Sequence, residues 1–249
     1  MSAVVTIHQP EHLPWLGFFA KMARADCLVS LDCVPYRRRY FQNRNRVLGS
    51  DGSPVWLTVP VHAENHFQLP IAEVRIVEED RWRRKYVRTL EHRYGGDAPG
   101  GLCDDVARTV AGARGLLSDL NHELISILRD ALGIRTPIVR ATALGGTGRR
   151  SELLAELTRR VGGSVYLSGP SGREYLDPRP FERLGIEIWF HDYDHPVYPQ
   201  AGSSDFVSHL SALDLIVNCG AEAQAILMSG SRVTPASEAD FAAIGRSDG

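Results

Sequence analysis

The chain has 249 residues, 43% of them hydrophobic and 23% charged, which suits one large domain or one domain carrying a small helical insert. No segment reaches the roughly 18 uninterrupted apolar residues of a membrane span, the N-terminus lacks the regions of a signal peptide, and Cys27, Cys33, Cys103 and Cys219 form no CxxC pair. Those facts argue against a membrane protein, paired disulfides and a zinc site, and the expectation is a cytoplasmic protein with free thiols.

The net charge of −2 is unevenly spread. Residues 1–95 hold 14 Lys/Arg against 10 Asp/Glu, and the rest hold 14 against 20. A basic N-terminal half points to an anionic partner such as a phosphate, a nucleotide or RNA, with a solvated surface as the plain alternative.

The apolar run at 3–8 reads as a buried strand that leads straight into His8-Gln9-Pro10. A short helix over 15–23 follows, then a strand over 27–31 ending at Asp32. An Asp-Gly turn at 51–52 introduces a strand over 55–61, and residues 72–77 alternate like a strand. The middle is helical. Asp80 to Tyr94 has an acidic start and stops at Gly95-Gly96, and Leu117, Leu120, Leu124, Ile127, Leu128 and Leu132 recur at helical spacing. Beyond it, strands predicted at 137–142, 164–167 and 186–190 alternate with a helix near 151–161. One or two helices close the domain over 206–228. This order predicts an α/β fold, a mainly parallel Rossmann-like sheet with flanking helices and a helical insert around residues 80–133. Residues 1–228 form one domain in this reading, and 229–249 a loosely ordered tail.

Five stretches could carry chemistry. His8-Gln9-Pro10-x-His12 places an imidazole where α/β sheets bind ligands, just past a strand's carboxyl end. From Asp32 to Arg46, five arginines are interleaved with Tyr36, Tyr40 and Phe41 and with Gln42, Asn43 and Asn45. Guanidinium forks suit phosphate or carboxylate, and rings suit a base. The alternative is an exposed basic loop. The basic residues of 81–93 face outward from an amphipathic helix, with a nucleic-acid surface as the sharper reading. Ser168-Gly169-Pro170-Ser171-Gly172 follows a strand and offers backbone N–H groups to an anion, or is a tight turn. His191-Asp192-x-Asp194-His195 has no recognised metal-ligand spacing, so no metal is expected.

These residues together resemble the WbqC-like family of bacterial O-antigen, polysaccharide and natural-product gene clusters. The matching pieces are Ile7-His8-Gln9-Pro10 with Leu13-Pro14-Trp15-x-Gly17-Phe18-Phe19, then Gln42-Asn43-Arg44-Asn45-Arg46 and Trp56-Leu57-Thr58-Val59-Pro60-Val61. Ser168-Gly169-x-x-Gly172-x-x-Tyr175-Leu176-Asp177, His195-Pro196-x-Tyr198-x-Gln200 and Asp214-Leu215-Ile216-x-Asn218-x-Gly220 complete the match. His12 departs from the family's aromatic residue, and Asp32, Cys33 and Pro35 stand in place of its acidic pair and glutamine. The resemblance implies action on amino sugars or amine-bearing intermediates, with attachment of an acyl or aminoacyl group. A weaker likeness joins the first strand and helix to nucleotidylyltransferases with an HxGH opening, although the spacing and the glycine differ.

The expected activity is transfer of an activated acyl or aminoacyl group, aminoacyl-tRNA among the donors, to a small-molecule amine. His8 is the expected base and Asp32 its orienter. Gln9, Tyr36, Arg37, Gln42, Asn43, Arg44 and Asn45 bind substrate, chiefly the anionic part of the donor. Ser168, Gly169, Tyr175 and Asp177 line the same cleft, and His195, Tyr198 and Gln200 close it. No cofactor, DNA or membrane partner is expected. The alternatives are a nucleotidyl-transfer or adenylate-forming enzyme, and a nucleotide-sugar or RNA-binding module without turnover.

Overall fold

The computed structural model describes residues 3–62, 68–95, 101–202 and 205–241. Its centre is a six-stranded sheet built from β1 (Val4–His8), β2 (Cys27–Ser30), β5 (Ile138–Arg140), β6 (Val165–Ser168), β7 (Glu187–Tyr193) and β8 (Ser231–Pro235). The strand order is β5-β2-β1-β6-β7-β8, parallel throughout except for β8. Residues 44–58 form a separate hairpin of β3 (Arg44–Leu48) and β4 (Pro54–Thr58). The predicted α/β class and mainly parallel sheet are what the chain adopts.

Alternate residues of each inner strand feed two cores, because successive side chains point to opposite faces. Leu28 packs with α1 (Leu16–Ala23), α8 (Ala212–Cys219), α9 (Ala223–Ser229) and the helices of the insert. Val5, Ile7 and Val29 face the other way, onto α6 (Ser151–Arg160) and onto Phe181 of α7 (Arg179–Arg183). Phe181 is fully buried and stacks on Tyr166 at 5.0 Å. Burying such a ring stabilises the fold by about 2–3 kcal/mol.

Right-handed crossovers dictate which face each helix takes. From β1 to β2 and on to β5 the chain steps in one direction, so α1 and the insert lie on one face. From β5 back to β6 and on to β7 it steps in the other, so α6 and α7 lie on the opposite face. The direction therefore reverses between β1 and β6, which opens a crevice at their carboxyl ends.

The insert comprises α2 (Asp80–Tyr94), α3 (Leu102–Gly112) and α4 (Leu117–Ala131), within the predicted span. Four local readings are corrected. Residues 72–77 form no strand: Val74 and Ile76 do alternate into the core, but the segment begins with a short 3-10 helix at Ile71–Glu73 and pairs only through isolated bridges to Val61 and Leu116. Residues 44–48, expected within a loop, are β3. The expected loose tail contains β8, antiparallel to β7, because Val233 and Thr234 supply β-branched residues between Gly230 and Pro235. The tail's last residues, 242–249, lie outside the described residues. The predicted strand at 55–61 ends at Thr58, before Pro60, which has no N–H to continue a ladder.

His12 pins the segment leaving β1. Its Nδ1–H donates to Asn121 Oδ1 at 3.0 Å, and the Tyr86 hydroxyl donates to its Nε2 at 2.7 Å. The ring is fully buried, and desolvation pulls its pKa down to about 4, against the smaller upward pull of Asn121. A depressed histidine stabilises the fold above its unfolded pKa of 6.5, and that stability is lost as pH falls from 6.5 towards 4. We therefore expect the urea midpoint to fall over this range. In His12→Gln the protein should be about 1–3 kcal/mol less stable at pH 7, from the broken buried hydrogen bonds, and its decline towards pH 4 should be shallower. An unchanged slope would show that His12 does not control acid stability.

Candidate active site

The crevice at the strand reversal holds a cleft of about 410 Å³. Its floor is apolar, from Ile7, Leu31, Val34, Leu153 and Leu154. Its polar groups come from four segments: His8 and Gln9 after β1, Arg37 and Tyr40 after β2, Arg150 at the start of α6, and Ser171 and Tyr175 after β6. An apolar pocket with a few convergent polar groups is the usual form of a small-molecule site.

His8 is the last residue of β1. Its Nδ1–H donates to the Gln9 carbonyl at 3.1 Å, which leaves Nε2 as an acceptor. Phe18 packs edge-on against the ring at 5.0 Å. Burial first, and then the charge of Lys21, hold the imidazole's pKa well below its ordinary value, while the Gln9 carbonyl opposes them. The ring is therefore neutral at pH 7. Beneath it lies Glu11, 4% exposed, with Oε1 4.0 Å from His8 Nδ1 and with Oε2 making no hydrogen bond among the described residues. Desolvation raises the Glu11 carboxyl and lowers the buried Lys21 amine, each partly offset by the other's charge.

Gln9 is oriented from behind. Gln42 Nε2 donates to Gln9 Oε1 at 2.7 Å, while Gln42 Oε1 accepts from the Arg37 backbone N–H at 2.7 Å. One buried carboxamide thus sets two cleft residues at once. Arg37 lies 4.9 Å over the Tyr40 ring. Neither Arg37 nor Arg150 meets a carboxylate among the described residues. By contrast Arg83, Arg140, Arg160 and Arg173 each have one within 3.3 Å. Two guanidiniums facing one cleft without a carboxylate partner among the described residues offer the fork geometry that phosphate and carboxylate groups match.

The parallel register pairs Thr6 with Leu167, so His8 and Ser168 emerge on the same edge of the sheet. His8 and Tyr175 line the cleft, as expected of them. Ser168 lies behind the wall: it is buried, and close enough to Gly172 that a Cβ there would sit 2.1 Å from its Oγ. Gly169 starts the 3-10 turn Pro170–Glu174 beside it.

Other expected site residues have work elsewhere. Asp32 accepts from the backbone N–H and the hydroxyl of Thr142, both at 2.9 Å, and so anchors the chain where β5 passes into α5 (Ala141–Leu144). Asn43 donates to the Val59 carbonyl and Asn45 to the Leu13 carbonyl. Tyr36 is buried in the core, Arg44 stacks on Trp56, and Asp177 accepts from Arg179 in a surface turn. Tyr198 and Gln200 donate to the buried Asp214 carboxylate. His195 packs with Trp15, Phe206 and His209. None of these residues lines the cleft.

Arg150 is a cleft residue that the sequence reading did not single out, whereas Tyr40 and Ser171 stood in the stretches it named without being given a role of their own. The available signal for Arg150 was its place in an Arg149-Arg150 pair between a Gly-rich link and a helix. Its backbone has φ +51° and ψ −128°, a region that favours glycine and costs other residues about 1–3 kcal/mol. We expect Arg150→Gly to relieve that strain and raise stability by about 1 kcal/mol, less the entropy that glycine adds to the unfolded chain, while weakening phosphate binding at least tenfold. Thermal denaturation and calorimetry with inorganic phosphate test the two halves separately. Unchanged phosphate affinity would remove Arg150 from the site.

The family model described as WbqC-like protein family matches residues 9–226, a span that contains every cleft residue except Ile7 and His8. The chain is 34% identical over 222 residues to the uncharacterized protein Rv1507c of Mycobacterium tuberculosis, covering 88% of this chain and 95% of that one. No solved structure matches. The chain belongs to the WbqC-like protein family.

Proposed function

We propose that this protein is a biosynthetic transferase that forms an amide on an amine acceptor, an amino sugar or a natural-product intermediate, from an activated acyl or aminoacyl donor. One observation supports this reading above the others. The cleft sets a neutral imidazole with an open Nε2 on one wall against two carboxylate-free guanidiniums on the neighbouring walls. The family's implied amine-bearing substrates agree with it.

In this scheme Arg37 and Arg150 hold the phosphate or carboxylate of the donor, a handle shared by aminoacyl-tRNA and thioester carriers. The neutral amine donates a hydrogen bond to His8 Nε2, which aims its lone pair at the acyl carbon. As the C–N bond forms, the attached N–H becomes acidic and its proton passes to Nε2. Collapse of the adduct breaks the bond to the leaving group, which departs with that proton. General-base catalysis favours a pKa near the operating pH, so in this scheme the negative charge that develops on the adduct beside the ring raises the basicity of His8 as the proton moves. Free thiols at Cys27, Cys33, Cys103 and Cys219 fit a reducing compartment, and we place the enzyme in the cytoplasm. Among the described residues no helix is long and apolar enough to cross a membrane.

A second reading, nucleotidyl transfer, draws on the paired guanidiniums at a strand reversal, which would equally hold a pyrophosphate. It requires ATP-dependent release of pyrophosphate, and the acyl-transfer reading does not.

The decisive experiment incubates the protein with panels of amino sugars and of aminoacyl-tRNA or acyl thioester donors and follows amide formation by mass spectrometry. His8→Ala should lower kcat by about 10²–10⁴-fold, the usual contribution of a positioned base, with an unchanged circular dichroism spectrum. A kcat near wild type would reject His8 as the base.

A further inference from the structure

Among the described residues the exposed large aromatic side chains are Tyr40, Trp56 and Tyr175. All three belong to the cleft or to the hairpin beside it. Tyr40 and Tyr175 line the cleft. Outward from Tyr40, Phe41 follows at 5.6 Å, and Trp56 of β4 lies 6.1 Å from Phe41. Rings therefore run from inside the cleft to the outer face of the hairpin. Water-exposed aromatic surface gathered in one place, rather than scattered, marks an interaction site.

Guanidiniums are interleaved with these rings. Arg37 lies over Tyr40 at 4.9 Å, Arg44 over Trp56 at 4.3 Å, and Arg46 over the same indole at 5.8 Å. Pairing across the hairpin sets Arg46 opposite Trp56, and Arg44, two residues away, shares their face. Arg44 and Arg46 each donate one Nη2 to a backbone carbonyl, of Arg39 and His209, but their Nε–H groups have no acceptor among the described residues. Among the described residues no carboxylate forms an ion pair with either side chain. The strip thus offers flat apolar faces together with uncompensated positive charge. The ligand matching both is a nucleotide, whose base stacks on a ring or a guanidinium plane and whose phosphate takes the charge. An apolar peptide would leave the arginines unanswered, and a bare anion would leave the rings exposed.

We propose that Tyr40, Phe41, Trp56, Arg44 and Arg46 form a nucleotide subsite at the mouth of the cleft, which seats the nucleotide end of the group that carries the donor. The proposal rests on the cleft being the donor site. Its chemistry has two sources, a mononucleotide-bearing thioester or the single-stranded end of an RNA.

The test is binding, without turnover, of inorganic phosphate, adenosine 3′,5′-bisphosphate and a single-stranded decauridylate to the full chain. The bisphosphate should bind at least tenfold more tightly than phosphate. Trp56→Ala should remove about tenfold of that affinity, within the range for one stacked base, and Trp56→Phe should retain most of it. Trp56 is 44% exposed on the hairpin's outer face, so the fold should tolerate both changes, as an unchanged Tm would confirm. Comparable, Trp56-dependent affinity for both nucleotide probes supports a mononucleotide carrier. Much tighter decauridylate binding supports RNA, provided that its log K falls with log salt and that Arg44→Ala lowers the slope by about 0.7. If the bisphosphate binds no better than phosphate, or if Trp56→Ala changes neither nucleotide probe, the subsite is overturned. Phosphate binding that still depends on Arg150 would then leave the cleft reading standing, and its loss would count against both.

Discussion

The arrangement of this protein depends on the side-chain amide of Asn121. Both of its N–H groups are donated to carbonyls of other segments, Pro10 in the loop leaving β1 and Gln42 just before β3, and its Oδ1 accepts from His12. Three buried hydrogen bonds thereby hold α4, the β1 loop and the base of the hairpin in one relation. A buried amide so engaged cannot be traded for an apolar residue without stranding partners, each at about 1–3 kcal/mol. Downstream of this junction, Gln42 orients Gln9 and Arg37. The walls of the cleft therefore inherit their positions from a helix remote in sequence, 79 residues from Gln42 and 111 from Pro10.

Electrostatics divides the same region in two. At the His8 wall and behind it, charge is suppressed by desolvation: His8 and His12 are held neutral, and Glu11 and Lys21 are both pushed towards neutrality. At the mouth, Arg37, Arg44, Arg46 and Arg150 form no ion pair with a carboxylate among the described residues. A ligand entering the cleft would pass from a zone that attracts anions to one whose groups exchange protons without carrying charge. That gradient is the physical basis for assigning the anionic handle to the outer part and the reacting amine to the inner part.

Much of this was legible from the residues alone. Buried strands, the helical insert and the parallel sheet follow from apolar runs and their punctuation. Because the sheet is parallel, His8 and the loop after β6 had to share an edge. Orientation was not legible. Gln42, Asn43 and Asn45 look like ligand readers in a row, yet each bonds a partner inside the protein, because a folded loop must satisfy its own carbonyls first. Asp32 lies just past a strand end, where a carboxylate that orients a catalytic base would stand, and is instead taken by Thr142. Arg150 carries no motif, and its place in the cleft arises from a crossover that returns the chain from β5 across the sheet. Neither β3 nor β8 announced itself, since arginines and single polar residues dilute the alternation of short strands.

The position of β8 bears on how the chain is made. β7 is seven residues long, and one of its edges pairs only with β8, which follows it by nearly forty residues. During synthesis the parallel core from β1 to β7 can assemble while that edge still presents unpaired N–H and C=O groups. An open edge of this length is a template for pairing with another nascent chain. The interval between emergence of Tyr193 and emergence of Pro235 is therefore the window in which neighbouring chains on one message compete with β8 for the same strand.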